Sequence, residues 1–372
     1  MRQVFDSNMQ VLAADCSGLR FFSADAPEVR LDGFPWRRPG GAFNRLPAPT
    51  AERPFTEILL RLAECAAGGQ LAFRTDSKRI VVRAKIGAAH RMARMALTGA
   101  MGFDAYVEIG GKKQFRNETA FNLDVDEYCV EACSFGNRRL REITLNFPLF
   151  ARVDALEIGI EEDACLSAPA PWADARPVVV YGTSLVHGAC ASRPGNCYPN
   201  ALSRRLGRPV YNFGFSGNAR GEAFMAQTLA EIPDPALYVV DYDANTNTKD
   251  LEKTLGEFIR ILRAARPETP VLTVSRIPHA FDMAELPEDG SGIFSDYDWS
   301  VGSFADVHRE TVRKIRQDGD KQVHFLDGRT LLGADFPDFI ADGIHLNDAG
   351  LLRMAEMMEP VIRRLIPARA GN

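Results

Sequence analysis

The sequence lacks three features that would place it in a special class of proteins. No apolar run approaches the roughly 20 residues of a membrane-spanning helix, and residues 1–18 carry acidic and polar side chains where a signal peptide has an apolar core. With 44 basic and 49 acidic side chains, a net charge of −5 and no basic tract, nucleic acid is not an expected partner. We therefore expect a cytoplasmic protein without membrane or nucleic-acid partners.

Paired cysteine spacings are also missing. A disulfide framework usually shows such pairs in a short secreted chain. The seven cysteines here are odd in number and scattered: Cys16, Cys65, Cys129, Cys133, Cys165, Cys190 and Cys197. Cys129 and Cys133 could form half of a metal site, but no second Cys/His pair stands nearby. We interpret all seven as thiols and expect no metal.

The chain does have the composition of a folded protein. Hydrophobic residues make up 46% and charged residues 25% of its 372 residues, which is typical of globular chains. This length favours two domains, each with its own core. The sequence leaves a homo-oligomer open.

The first half contains short β-like segments separated by turn residues, several of them alternating apolar and polar side chains. The segments are EILLRLAEC (57–65), GQLAFRTDS (69–77), RIVVRAKI (79–86), DAYVEIGG (104–111), KKQFRNE (112–118), REITLNFPL (141–149) and VDALEIGIEE (153–162). This spacing predicts an antiparallel sandwich of the jelly-roll kind. His90 is the only histidine there, and no catalytic constellation emerges.

Residues 167–177 are rich in alanine and proline, and we interpret them as a linker. The pattern of predicted elements changes after this segment. Five apolar strands, each followed by a loop and an amphipathic helix, then recur: PVVVYG with YPNALSRRLG, PVYNFG with GEAFMAQTLAEI, ALYVVD with DLEKTLGEFIRILRAARP, PVLTVS with FADVHRETVRKIRQDG, and VHFLDG with DAGLLRMAEMMEPVIRRLI. This alternation predicts a parallel sheet covered on both faces, with ligands beyond the carboxyl ends of its strands. We place the domains at 1–170 and 171–372.

The loops after these strands carry the residues that chemistry would need. Ser184 follows the first strand between Gly182 and Gly188, where small residues allow a sharp turn that presents a hydroxyl. A serine at a strand end is also a common helix cap, so this segment alone is weak evidence for a nucleophile. Asp342 and His345 share the loop FIADGIHLNDAG and could supply the base of a serine nucleophile and its orienting partner.

Candidate oxyanion donors lie in two further loops. FGFSGNARG supplies Gly214 and Gly217, and DYDANTN supplies Asn245. The Ser184 and Gly217 amides with the Asn245 side chain would give three donors for one oxyanion. Gly and Asn also favour ordinary turns.

The remaining polar residues of these loops have weaker assignments. His187 is a rival base, but three residues after the serine we expect its ring to be turned away on the opening helix. His279 could line the pocket, whereas His308 and His324 are typical of solvated or packing residues. Asn347 or Asp348 is expected to cap the last helix.

Taken together, GTSLVHG, GFSGN, DANT and DGIHLND resemble, in the right order, the four blocks of the SGNH or GDSL-type hydrolases. The resemblance implies a flavodoxin-like hydrolase domain with Ser184 as nucleophile, His345 as base and Asp342 as its partner. It also implies an oxyanion hole of Ser184, Gly217 and Asn245. The first block reads GTS instead of GDS, and DANT departs from GxND, which leaves Asn247 as a fallback for Asn245.

The resemblance extends to the first half of the chain. GFDAY (102–106) is similar to the GxDLY signature of an amino-terminal sandwich domain, with Ala105 where leucine usually stands. Residues 190–195 and 198–206 also resemble segments that follow the nucleophile in this branch.

The resemblance implies a serine esterase that works through an acyl-enzyme without metal or organic cofactor. This branch is associated with carbohydrate esters, which favours a small acyl group such as acetyl on a sugar alcohol. Arg193 and Arg220 flank the site as candidate substrate contacts, with His187 and His279. The alternatives are a short-chain lipase or thioesterase, and a catalytically inactive carbohydrate-binding protein on the same fold.

Overall fold

The computed structural model describes residues 13–122, 124–283 and 301–366. The chain forms two compact units. The first comprises Met1–Pro47, Ala63–Pro171 and Ser192–Gly195, and the second comprises Ala48–Leu62, Trp172–Ala191 and Asn196–Asn372. The predicted domains 1–170 and 171–372 stay a proposal. Residues 1–12, on which much of the signal-peptide prediction rests, lie outside the described residues.

The first unit is an antiparallel β-sandwich. Its strands are β1 Leu19–Ser23, β2 Arg30–Asp32, β3 Gln70–Thr75, β4 Arg79–Ala89, β5 Asp104–Ile109, β6 Lys112–Glu118, β7 Glu127–Ser134, β8 Arg141–Asn146, β9 Ala151–Glu161 and β10 Leu166–Ser167. One sheet has the order β1-β9-β4-β7 and the other β10-β3-β8-β5-β6, with β2 paired to β3. Phe22 and Phe73, one from each sheet, meet edge to face with ring centroids 5.2 Å apart. The predicted sandwich is thus confirmed.

One predicted strand of the first half was wrong. Residues 57–65 contain helix α1 Glu57–Glu64, and a second short helix, α2, spans Leu97–Met101. Leu59, Leu62 and Ala63 are buried while Ile58 is 58% exposed. Apolar residues three and four apart define one face of a helix, whereas a strand would bury alternate residues.

The second unit is a five-stranded parallel sheet with the order β12-β11-β13-β14-β15. Its strands are β11 Val178–Gly182, β12 Val210–Gly214, β13 Leu237–Asp241, β14 Val271–Val274 and β15 Val323–Leu326. Its helices are α3 Ser184–His187, α4 Tyr198–Leu206, α5 Ala223–Ala230, α6 Thr248–Ala265, α7 Val301–Gln317 and α8 Asp348–Leu365. Every predicted strand and helix of this half is confirmed, and residues 168–177 form neither.

The strand order explains where the site lies. From strand β11 the chain goes to β12 on one side and then to β13 on the other. Such a reversal is the switch point at which open α/β sheets bind ligands. Strands β11 and β13 are buried along their whole length, as strands covered on both faces should be. No helix of the described residues is long and apolar enough to cross a membrane.

Candidate active site

Ser184 lies at a sharp turn from β11 into helix α3. The side chain of Thr183 caps this helix by accepting a bond from Leu185 N at 3.4 Å. A Cβ atom on Gly182 would lie 2.0 Å from the Asp241 carbonyl oxygen, so only glycine fits beside β13. Ser184 is the first helical residue, and an amide at this position has no acceptor inside its own helix. The turn therefore presents a hydroxyl and an available amide together.

Asn212, which the sequence analysis missed, fixes helix α3 against β12. Its side chain donates to Val186 O at 2.6 Å and accepts from Gly214 N at 2.8 Å. A Cβ on Gly214 would lie 2.0 Å from His187 N, so the close approach of helix and strand requires glycine. The available signal was a polar residue inside the otherwise apolar strand PVYNFG.

Asp342 and His345 stand in a tight loop closed by its own backbone. Ala341 N donates to His345 O at 2.7 Å. One carboxylate oxygen of Asp342, Oδ1, accepts from the backbone amides of His345 at 2.8 Å and Ile344 at 3.1 Å. These bonds leave Oδ2 for the imidazole and fix the carboxylate plane. The loop leads into α8, and of the two predicted caps, Asn347 and Asp348, it is Asn347 that accepts a 3.0 Å bond from Gly350 N.

The three side chains form a continuous chain of hydrogen bonds. Ser184 Oγ lies 2.8 Å from His345 Nε2, and His345 Nδ1 lies 2.8 Å from Asp342 Oδ2. Burial raises the pKa of Asp342, but the backbone amide and ring of His345 outweigh it, so the pKa is lowered overall. The carboxylate is therefore ionised at neutral pH. With Nδ1–H donated to it, Nε2 can accept the hydroxyl proton of the serine.

The loops that carry the predicted oxyanion donors are tied to this turn. Gly182 is in register with Gly214 on one side and Asp241 on the other. Phe215 N donates to Gly182 O at 2.9 Å, and Asn245 Nδ2 donates to Phe215 O at 3.3 Å. Gly217 follows in an exposed turn, and its amide has no protein acceptor among the described residues.

Asn245 and Asn247 have different surroundings. Asn247, the fallback, caps helix α6 by accepting from Asp250 N at 2.9 Å. Asn245 ends the short 3₁₀ helix Asp243–Asn245, where one amide hydrogen is used on Phe215 and a second remains. Asn245 stays the proposed donor, with Asn247 as the fallback.

A buried pair at the start of that 3₁₀ helix was also missed. His308 Nε2 lies 3.2 Å from Asp243 Oδ2, and both side chains are fully buried. The same Asp243 oxygen accepts from Arg276 N at 2.8 Å. His308 is thus a packing residue, and its spacing on an amphipathic helix gave no sign of this partner.

The candidate substrate contacts have different positions. His187 is fully buried, so a substrate would reach it only if the surrounding structure opened. Arg220 is exposed and donates to Gly217 O at 3.4 Å. Burial lowers the pKa of His279 to about 4, which keeps its ring neutral at pH 7. Arg193 belongs to the first unit, where its guanidinium lies 3.9 Å from the ring centre of Phe115.

One group of side chains in the described part of the chain could hold a metal ion. Cys190, Asp342 and His345 each bring one ligand atom to within 4.8 Å of the others. Cys129 and Cys133, considered from the sequence as half of a metal site, are not in this group, and Cys129 Sγ lies 3.0 Å from Cys16 Sγ.

Several solved structures share this fold across nearly the whole chain. A protein from Bacteroides ovatus described as a GDSL-like lipase is 26% identical, with a TM-score of 0.81 over 93% of this chain and 98% of that one. A salicylyl-acyltransferase from a tetracycline biosynthetic pathway is 21% identical, with a TM-score of 0.74 over 95% and 99%. A family two carbohydrate esterase from Cellvibrio japonicus is 14% identical, with a TM-score of 0.58 over 94% and 98%.

Family models match both halves of the chain, although no curated protein matches it. Residues 19–166 match the N-terminus of the SGNH-hydrolase-type esterases. Residues 175–363, more than half of the chain, match the GDSL-like lipase/acylhydrolase family. This second match covers the turn with Ser184 and the loop with His345. The chain therefore belongs to the GDSL-like lipase/acylhydrolase family and is an ester hydrolase.

Proposed function

We propose that the protein removes small acyl groups, acetyl foremost, from carbohydrate esters through a Ser184–His345–Asp342 triad. The observation that carries the proposal is the unbroken chain of 2.8 Å contacts from the Ser184 hydroxyl through both ring nitrogens to the Asp342 carboxylate. A serine hydroxyl attacks at neutral pH only when a base beside it takes its proton. The arrangement supplies that base in its required tautomer.

The reaction has two halves in this scheme. His345 Nε2 takes the proton of Ser184 as Oγ attacks the ester carbonyl, and the imidazolium then protonates the leaving alcohol. Water, activated by the same nitrogen, hydrolyses the acyl-serine. Asp342 stabilises the imidazolium at each step, since its lowered pKa keeps it ionised.

The oxyanion is stabilised by three donors in this proposal: the amides of Ser184 and Gly217 and the side chain of Asn245. Each lies in a loop at the carboxyl end of β11, β12 or β13. The bond from Phe215 N to Gly182 O and the bond from Asn245 to Phe215 O support their convergence. Removal of one such donor costs about 10²–10³ in rate in acyl-transfer enzymes.

The substrate class draws on the proteins that share the fold. These include family two carbohydrate esterases and an acetyl xylan esterase from Butyrivibrio proteoclasticus, 12% identical with a TM-score of 0.56. The exposed Arg220 beside Gly217 is suited to the polar part of such a substrate. We further propose that the sandwich is a jelly roll and that the protein acts in the cytoplasm on small soluble esters.

A substrate panel tests this proposal. p-Nitrophenyl esters from acetyl to octanoyl and acetylated sugars are compared with wild type, Ser184→Ala and the control Ser17→Ala, an exposed serine of the first unit. We expect acetyl esters to be cleaved fastest, Ser184→Ala to lose activity and Ser17→Ala to retain it. Equal cleavage of acetyl and octanoyl esters would contradict the small-acyl assignment. Sugar binding without turnover would favour a binding protein instead.

A further inference from the structure

Cys190 lies beside the His345–Asp342 pair, which its position in the sequence does not suggest. Its sulfur, a nitrogen of His345 and a carboxylate oxygen of Asp342 are all within 4.8 Å of one another. Cys190 follows Gly188 and Ala189, whose amides both bond to Ser184 O at 2.9 Å. The thiol is therefore held by the same turn that carries Ser184.

The backbone at Cys190 is unusual for a residue with a side chain. Its φ of 63° lies in the left-handed region, which costs a non-glycine residue roughly 1–3 kcal/mol. The next amide, Ala191 N, closes the turn on Gly188 O at 3.2 Å. The side chain is half-buried and takes part in no disulfide. A defined, strained turn thus places a thiol within reach of the imidazole.

We propose that Cys190, His345 and Asp342 form a binding site for a thiophilic divalent ion, with Zn²⁺ as the best fit. Thiolate, imidazole and carboxylate are the three ligand types that zinc prefers, and zinc commonly binds three protein ligands and leaves a fourth position open. Ligand atoms around tetrahedral zinc are roughly 3.5 Å apart, so small adjustments of the three side chains from their present separations of at most 4.8 Å are sufficient. Mg²⁺ and Ca²⁺ prefer oxygen ligands and should bind poorly.

Binding of the metal ion would stop ester hydrolysis, a consequence that rests on the proposed function. The Cys190 thiol releases its proton to solvent, and one ring nitrogen of His345 donates its lone pair to the ion. If that nitrogen is Nε2, no base remains for Ser184. If it is Nδ1, the ring proton must reside on Nε2, which then donates instead of accepting. Either arrangement makes the ion a reversible inhibitor.

Two measurements separate the metal site from the esterase assignment. The first is Co²⁺ titration of Ser184→Ala, read by the thiolate-to-cobalt charge-transfer absorption. This readout needs no turnover. We expect one equivalent of Co²⁺ to bind with this absorption, which disappears when Cys190→Ser is added and persists with Cys165→Ser. Cys165 is the matched control because it is an exposed thiol of the first unit.

The second measurement is inhibition of hydrolysis by Zn²⁺, each variant being compared with its own metal-free rate. Loss of an outer-shell partner already costs about 10–100-fold in metal affinity. Loss of the thiolate should therefore raise the half-inhibiting Zn²⁺ concentration at least about tenfold in Cys190→Ser, but not in Cys165→Ser. Absence of the cobalt absorption, or its persistence in Cys190→Ser, would overturn the proposal whether or not the enzyme turns over. Equal zinc sensitivity of the two variants would overturn the inhibitory role.

Discussion

In the first unit three buried polar side chains bond to one another across neighbouring strands, whereas in the second the polar side chains of the candidate site lie beyond the ends of parallel strands. Gln70 donates to Asn146 at 2.8 Å, Asn146 donates to Asp104 at 2.7 Å, and the second oxygen of Asp104 accepts from Gly195 N at 2.7 Å. This series spans the neighbouring antiparallel strands β3, β8 and β5. Such a network of buried hydrogen bonds stabilises a fold and offers little to a substrate.

The second unit leaves polar groups available where its strands end. Ser184 Oγ and His345 Nε2 face each other at 2.8 Å, and the Gly217 amide has no protein acceptor among the described residues. In a parallel sheet all carboxyl ends lie at one edge, so loops distant in sequence deliver such groups to one place. Polar side chains that bond to one another thus stabilise the first unit, whereas the polar groups at the strand ends of the second unit remain available for chemistry.

The largest effect is expected for Asp342→Asn. An amide cannot hold His345 in the tautomer that accepts the serine proton, and the corresponding change in a serine protease lowers kcat by about 10⁴. The measurement is kcat on an acetyl ester, with Asp338→Asn, an exposed aspartate of the same segment, as control. Thermal unfolding of both variants should match wild type closely. A drop of less than tenfold for Asp342→Asn would contradict its role.

A second test separates the two asparagines after β13. Asn245→Ala should lower kcat by about 10²–10³ through loss of an oxyanion donor and change stability little. Asn247→Ala should leave kcat nearly unchanged but lower the free energy of unfolding by about 1 kcal/mol through loss of the α6 cap. Kinetics and urea unfolding give kcat and the free energy of unfolding for each of the two variants. The reverse pattern would assign the oxyanion hole to Asn247.

Loss of Asp104 from the hydrogen-bond network of the first unit should lower the free energy of unfolding. Asp104 is fully buried, and Asp104→Ala would leave the donors of Asn146 and Gly195 without it. Two unpaired buried donors cost on the order of 3 kcal/mol. Denaturant unfolding followed by circular dichroism measures this loss, and Asp124→Ala, an exposed aspartate of the same unit, is the control. Equal stability of the two variants would show that the network is dispensable.

The smallest expected effect is on the pH dependence of stability, through His279. The folded pKa of His279, about 4, lies below the unfolded value near 6.5. Between these values the unfolded chain takes up a proton that the folded chain does not, so stability present above pH 6.5 is lost as the pH falls. His279→Gln should therefore lose less stability than wild type between pH 6.5 and 4. Urea unfolding across that range checks it, with His90→Gln as control; parallel curves for wild type and His279→Gln would contradict it.

The second unit was predictable because its signals are local and strong. Strands that are apolar throughout and helices with a 3.6-residue period are recognisable from the sequence alone. The loops that follow parallel strands must meet at the edge of the sheet where the strands end. The first half of the chain was harder to predict. EILLRLAEC was expected to be a strand but forms helix α1. A short apolar run fits both the two-residue period of a strand and the 3.6-residue period of a helix, and only the pattern of buried side chains distinguishes them.

The partners of the catalytic candidates were the least predictable part of the site. The sequence suggested Asp342 and His345 from one loop, but Cys190 lies beside them only because a left-handed turn follows α3. The pairing of Asp243 with His308 joins residues 65 positions apart on different elements. Contacts of this kind depend on how elements pack, which no local pattern in one sequence encodes.

The most direct test of the Ser184–His345 relay is covalent labelling with a fluorophosphonate, read by intact-protein and peptide mass spectrometry. We expect one adduct per chain, located on Ser184, formed at the same rate as activity is lost and abolished in His345→Ala. An adduct on another residue, or full activity after Ser184 has been labelled, would contradict it.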